Sequence, residues 1–306
     1  MRVILFAALL ASTFTSFAAA SPKVVATIAP LHSIAASIMG ERGEPHLLLG
    51  GIVDPHGASL KPSQARRLAN ADLIFWVGPP LEGFLVKSLK SKAEGQIVTS
   101  IDLDGIHKHP FRSEGDHHDH DHGDDHADDN DHHDEGKSEI DPHIWLDPHN
   151  AITMGHALAE RLAAMEPAHA DSYRNNARMF AERVRKLDAV NQAAFASIRS
   201  APFLTMHDGL LYLEKRYGLN GHGGILIDHG RAPSAKRVRE VRQMIADDNI
   251  RCVLSEPQYP KSVLAALGVE DSSVIDILGS RLSPGPQLYE TMMSELVGAV
   301  GACLTK

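Results

Sequence analysis

Cysteine is almost absent from this chain of 306 residues: only Cys252 and Cys303 occur, and neither has another Cys or a His at the short spacing of a structural metal site. One disulfide is the simplest use of the pair in an oxidising compartment, with two buried thiols or a single Cys ligand as the other options. Long apolar runs are missing as well. Beyond the first residues no segment approaches the length needed to cross a bilayer, which argues against a helical membrane protein. Nor does the chain contain HExxH, GxSxG or a Ser/His/Asp set in a recognisable context, so nothing recommends it as an enzyme. Even the acidic surplus is local. Setting aside the nine Asp of residues 116–134, the 39 acidic residues fall to 30, equal to the 30 Lys and Arg, so charge points to neither nucleic acid nor a membrane surface.

What is present in residues 116–134 is unusual. Besides those nine Asp the tract holds His117, His118, His120, His122, His126, His132 and His133, and only Gly123, Ala127 and Asn130 otherwise. No packed core can be made from that composition, so a mobile, solvated segment is expected, spanning residues 107–139 with its flanks. An acidic run alone would be a charged linker. Imidazole changes the chemistry, because it is a ligand suited to Zn, Cu and Ni. The irregular spacing fixes no geometry, so weak, multiple and exchangeable metal binding is the expectation.

The N-terminus reads as a secretory signal. Arg2 is the positive region, residues 3–10 are apolar, and Ala18, Ala19 and Ala20 form a small-residue cleavage site before Ser21. Cleavage after Ala20 would release a soluble periplasmic chain. With no Cys near that site, a lipid anchor is not expected.

About 286 mature residues suit two α/β lobes. Residues 23–28, 71–77 and 97–101 read as strands of the first, and 202–206, 251–254 and 273–278 as strands of the second, with helices at 209–217, 234–248 and 287–300. Strands alternating with helices imply parallel sheet. Between the halves, residues 169–198 contain no Pro or Gly and place Phe180, Val184, Leu187, Val190 and Ala194 three and four apart. This predicts one rigid helix of about 40 Å. The resulting division is a signal peptide (1–20), an N-terminal lobe (21–168), the linking helix (169–198) and a C-terminal lobe (199–306).

Three histidines stand out from the surface and capping histidines. His56 lies in the turn-rich DPHGASLKPSQ, His143 in DPHIWLDP, nine residues after the tract, and His207 at the C-terminal end of a predicted strand in FLTMHDG. Ligands of open α/β folds bind beyond such strand ends, where Asp276 in VIDILG would also point.

The stretches GASLKPSQARRLANADLIFWVG, DPHIWLDPHNA, FLTMHDGLLYLEKRYGL, APSAKRVREVRQMIADDNIRCVLSEPQ and the ILGS after Asp276 together resemble the metal-specific solute-binding proteins of ABC importers, cluster A-I, most closely the zinc-binding ZnuA branch. The His/Asp-rich insertion is similar to that branch too. The resemblance implies two α/β lobes, a long backbone helix and a metal held in the cleft by His56, His143 and His207, with Asp276 as the fourth ligand and water as its substitute. Some members of the branch place an acidic residue directly before the first His; here Pro55 stands there, and Asp54 one step back is a weaker candidate because Pro55 fixes the chain direction. Asp54, Asp141, Asp147 and Asp208 are expected to orient imidazoles or cap helices. The implied function is capture of Zn²⁺ in the periplasm by a monomer that delivers it to a membrane permease, the tract gathering zinc and passing it to His143. Alternatives are a manganese or iron carrier of the same importer family, or a periplasmic zinc buffer; a catalytic three-His zinc site and an adhesin are less well supported.

Overall fold

The computed structural model describes residues 21–112, 140–226, 233–260, 262–269 and 272–306. Residues 1–20, expected to be a signal peptide, and all seven tract histidines lie outside the described residues, and so does His229.

The first lobe is built from β1 (Val24–Ala26), α1 (Ala29–Met39), β2 (His46–Leu47), α2 (Pro62–Ala69), β3 (Leu73–Trp76), α3 (Val86–Leu89), β4 (Ile97–Thr99) and α4 (Pro148–Met165). After α5 (Ala170–Phe195) the second contains β5 (Pro202–Thr205), α6 (Leu211–Tyr217), β6 (Asn220–Gly224), α7 (Ala235–Asp247), β7 (Cys252–Ser255), α8 (Ser262–Leu267), β8 (Ser273–Val274) and α9 (Leu288–Leu304). Each lobe carries one four-stranded parallel sheet, ordered β2-β1-β3-β4 and β6-β5-β7-β8. The same topology is therefore used twice. Helices cover both faces of such sheets, which is why VVA, LIFW and CVLS are buried throughout and, Ser255 apart, apolar without alternation.

Of the four edge strands, β4 and β8 match expected strands, whereas β2 and β6 carry no strand signal in the sequence. β2 has two residues, and β6 reads NGHGG, a composition poor in β-formers. Tertiary packing explains those glycines. A Cβ on Gly221 would stand 2.4 Å from the Glu214 carboxyl, so only glycine lets α6 lie this close to the strand.

The linking helix α5 has 26 residues and buries Tyr173, Ala177, Phe180, Ala181, Val184, Asn191 and Phe195. Beyond Val184 the buried stripe departs from the expected one. Val190 is 65% exposed, while Asn191 is buried and donates to the Tyr217 hydroxyl at 3.3 Å. The 3.6-residue period carries the stripe from Leu187 to Asn191 and Phe195, leaving Val190 and Ala194 facing out.

Helix α9 ties the molecule together. It packs on α5 and α1, where Tyr289 N donates to Ser33 Oγ at 2.9 Å, and Arg183 of α5 pairs with its Glu290 at 2.8 Å. One continuous apolar core consequently runs from the first sheet through α1, α4 and α5 to α9 and the second sheet. Cys252 and Cys303 form a disulfide with Cα atoms 5.2 Å apart, fixing α9 to β7. Closing its 51-residue separation contributes about 4 kcal/mol on the chain-entropy account. Reduction, or Cys303→Ser, should lower Tm by about 10 °C, read by calorimetry with and without reductant; an unchanged Tm would refute a stabilising role. Among the described residues no helix is long and apolar enough to cross a membrane.

Candidate metal centre

His56, His143 and His207 come from three separate places and converge. His56 lies within the loop between β2 and α2, where Asp54 Oδ1 accepts its backbone N–H at 2.9 Å. His143 precedes the 3₁₀ turn Ile144–Leu146 that leads into α4. His207 lies two residues beyond the C-terminal end of β5, the position the open-sheet rule anticipates. Each of the three offers a ligand nitrogen within 4.8 Å of the others, and the Nε2 atoms of His56 and His143 are 3.3 Å apart. Two nitrogens bound to one tetrahedral zinc at about 2.0–2.1 Å would be separated by about 3.3 Å. The three imidazoles suit such an ion in chemistry, and the His56–His143 pair also in spacing.

Carboxylates behind two of the rings orient them. Asp141 Oδ1 accepts from both the backbone N–H of His143, at 2.8 Å, and its ring Nδ1, at 2.7 Å, which turns Nε2 toward the cluster. Glu256 Oε1 lies 3.0 Å from His207 Nδ1 and acts in the same way. Burial would lower the pKa of His207, but the Glu256 carboxylate outweighs it and holds the imidazole above its ordinary value. Burial pushes Asp141 up to about 6, against the hydrogen bond from the His143 backbone and the nearby charges of His207 and Arg112. Trp145 and Tyr259 wall the site, their ring centroids 5.3 Å from His143 and 5.9 Å from His207.

Asp276 is not part of this cluster. Its carboxylate accepts from Leu278 N at 3.2 Å, Ser280 Oγ at 2.9 Å and Arg281 N at 3.1 Å, shaping the turn that follows β8. Asp54, by contrast, is close enough for its charge to act on His207. Of the other expected carboxylates, Asp147 caps α4 by accepting from His149 N, and Asp208 pairs with Arg112.

The sequence profile of the family described as "Zinc-uptake complex component A periplasmic" matches residues 24–303. The chain belongs to this family. The high-affinity zinc uptake system protein ZnuA of Brucella suis is 34% identical over 315 residues, covering 95% of this chain and 94% of that protein. A crystal structure of ZnuA superposes with a TM-score of 0.74 at 20% identity, covering 93% of this chain and 99% of the other. The solute-binding protein FpvC of Pseudomonas aeruginosa, solved with Mn²⁺, gives 0.72 at 19% identity, with coverages of 93% and 98%. At those identities the two structures speak for the fold alone.

In this member of the zinc-uptake family several site residues escaped the sequence reading. Glu256 follows β7 as His207 follows β5, so the same rule of strand C-termini could have found it. His107 and His109 stand in no motif that marks them in the sequence. His107 Nδ1 pairs with Asp147 at 2.8 Å, and its ring stacks on His149 with centroids 4.1 Å apart and planes 7° apart. Lone pairs lie in the ring planes, so two parallel stacked imidazoles cannot converge on one ion. That pair is not a second metal centre in this arrangement.

Proposed function

We propose that this chain captures Zn²⁺ in the periplasm and delivers it to the permease of an ABC importer. The observation that carries the reading is the convergence of His56, His143 and His207, their ligand nitrogens within 4.8 Å of one another and those of His56 and His143 at zinc-ligand spacing. Neutral imidazole suits zinc, whereas manganese sites favour carboxylate, so a three-His set supports zinc over Mn²⁺ or Fe²⁺. Asp276 would complete the tetrahedron on giving up hydrogen bonds to its own turn, with water as the substitute. The role is binding rather than catalysis. Delivery to a permease rests on the family relationship, which also weighs against a free-standing zinc buffer. We further propose that residues 116–134 gather zinc and pass it to His143 nine residues on.

Titrating the metal-free protein with Zn²⁺ by calorimetry, beside a variant lacking residues 116–134, tests this. One tight site should survive the deletion while weaker sites vanish, and Mn²⁺ should bind the tight site more weakly than Zn²⁺. Loss of all tight binding on deletion would make the tract the principal site and favour the buffer reading.

A further inference from the structure

The chain on either side of residues 113–139 forms a narrow two-stranded neck, made by an antiparallel bridge between Pro110 and Ile140 and by Asp141 N donating to His109 O at 2.9 Å. On one side the neck is fastened to the first lobe, where His107 N donates to Asn150 Oδ1 at 2.7 Å. Two side chains fasten it to the second. The Tyr212 hydroxyl, on α6, accepts from His109 N at 3.2 Å and donates to Asp141 O at 2.9 Å, so one group grips both strands. Arg112 reaches from the neck in the other direction. Its Nε donates to Asp208 Oδ2 at 2.9 Å, its Nη1 to Gly221 O at 2.8 Å, and its Nη2 to Glu214 Oε2.

Each tie ends beside one histidine of the cluster. Asp141, held through its carbonyl by Tyr212, holds His143 through both ring and backbone. Asp208, held by Arg112, is the residue immediately after His207. The neck therefore links His143 of the first lobe with His207 of the second. Arg112 also neutralises two carboxylates that are mostly out of water, Glu214 at 5% and Asp208 at 23% exposure, which makes its place costly to vacate.

We propose that Arg112 and Tyr212 are positioning residues for metal release, clamping the neck across both lobes so that His143 and His207 leave the ion slowly. The inference rests on the zinc-capture reading of these histidines. An ion departs only when its imidazoles turn away one after another, and a ring whose backbone and orienting carboxylate are both fixed has few places to turn. The clamp acts on dissociation. It makes no contact with incoming metal, so association should be insensitive to it.

The test is zinc-loaded protein mixed with an excess of chelating dye in a stopped-flow instrument. Tyr212→Phe removes one oxygen and no packing volume, and Arg112→Gln removes the charge; Arg42→Gln, which breaks the Arg42–Glu166 pair in the first lobe, serves as a control for general destabilisation. Tyr212→Phe and Arg112→Gln should each speed zinc loss about tenfold, with association within about twofold of wild type. The control should leave both rates unchanged while lowering Tm. Dissociation within twofold of wild type in both clamp variants, or equal acceleration in the control, would reduce the clamp to an ordinary structural brace. Wild-type protein that sheds zinc within the mixing time would overturn zinc capture itself, and the clamp with it.

Discussion

Replacing His143 with alanine should weaken zinc binding by about a hundredfold to a thousandfold, since the apparent binding free energy of a four-ligand zinc site, about 10–16 kcal/mol, is shared among its ligands. His143 is buried, and its Nε2 lies 3.3 Å from His56 Nε2, so its loss removes one of two nitrogens already at ligand separation. His207→Ala should cost a similar factor, because the ring Glu256 orients is lost with it. Substituting two of the three should abolish tight binding. Asp276→Ala should cost less, about tenfold where the carboxylate coordinates and nothing where water does, because its hydrogen bonds hold it in its own turn. Competition with a chromophoric chelator measures all of these. A His143→Ala protein within threefold of wild type would refute the cluster as the binding site.

Acidification should release zinc, and the direction follows from where each proton goes. A metal and a proton compete for the same imidazole nitrogen, so affinity falls by about tenfold per pH unit for each ring that protonates. Glu256 raises His207 above its ordinary value, so the loss begins at a higher pH than a free imidazole would give. From pH 7.5 to 5.5 the affinity should fall at least about a hundredfold. Metal-free protein should show the opposite sign. A histidine whose folded pKa is raised contributes stability that is fully present below its unfolded value near 6.5 and is lost as pH rises through the folded value, so the His207–Glu256 pair favours the empty protein in acid. Calorimetric titrations at several pH values, alongside thermal melts of apo protein, would separate the two; constant zinc affinity across that range would exclude a histidine-built site.

The parts of this protein that local sequence governs are those whose residues interact with near neighbours. Six strand cores, the long helix α5 and the Ser234 cap of α7 follow from period, composition and capping chemistry. Strands β2 and β6 do not, because two residues and the run NGHGG carry no β-signal of their own and become strands only where β1 and β5 supply hydrogen bonds. The outward turn of Val190 on α5 likewise depends on which face α6 covers, since Asn191 is drawn inward by Tyr217.

The site divides along the same line. His56, His143 and His207 were legible because each stands in a turn or at a strand end within a recognisable stretch, and the carboxylate two residues before His143 was legible as its orienting group. Glu256 comes from a different strand, 49 residues from His207, and only the parallel pairing of β5 with β7 sets them 3.0 Å apart. Arg112 and Tyr212 meet partners about a hundred residues distant. The sequence by itself determined which side chains can bind metal and which elements carry them, since both depend on chemistry within a few residues. Tertiary structure alone decided that Glu256 backs the His207 imidazole, that α9, anchored to β7 by the disulfide, packs across onto α1 and α5, and that the neck touches both sides of the cluster, because these contacts arise only when segments far apart in the chain are brought together.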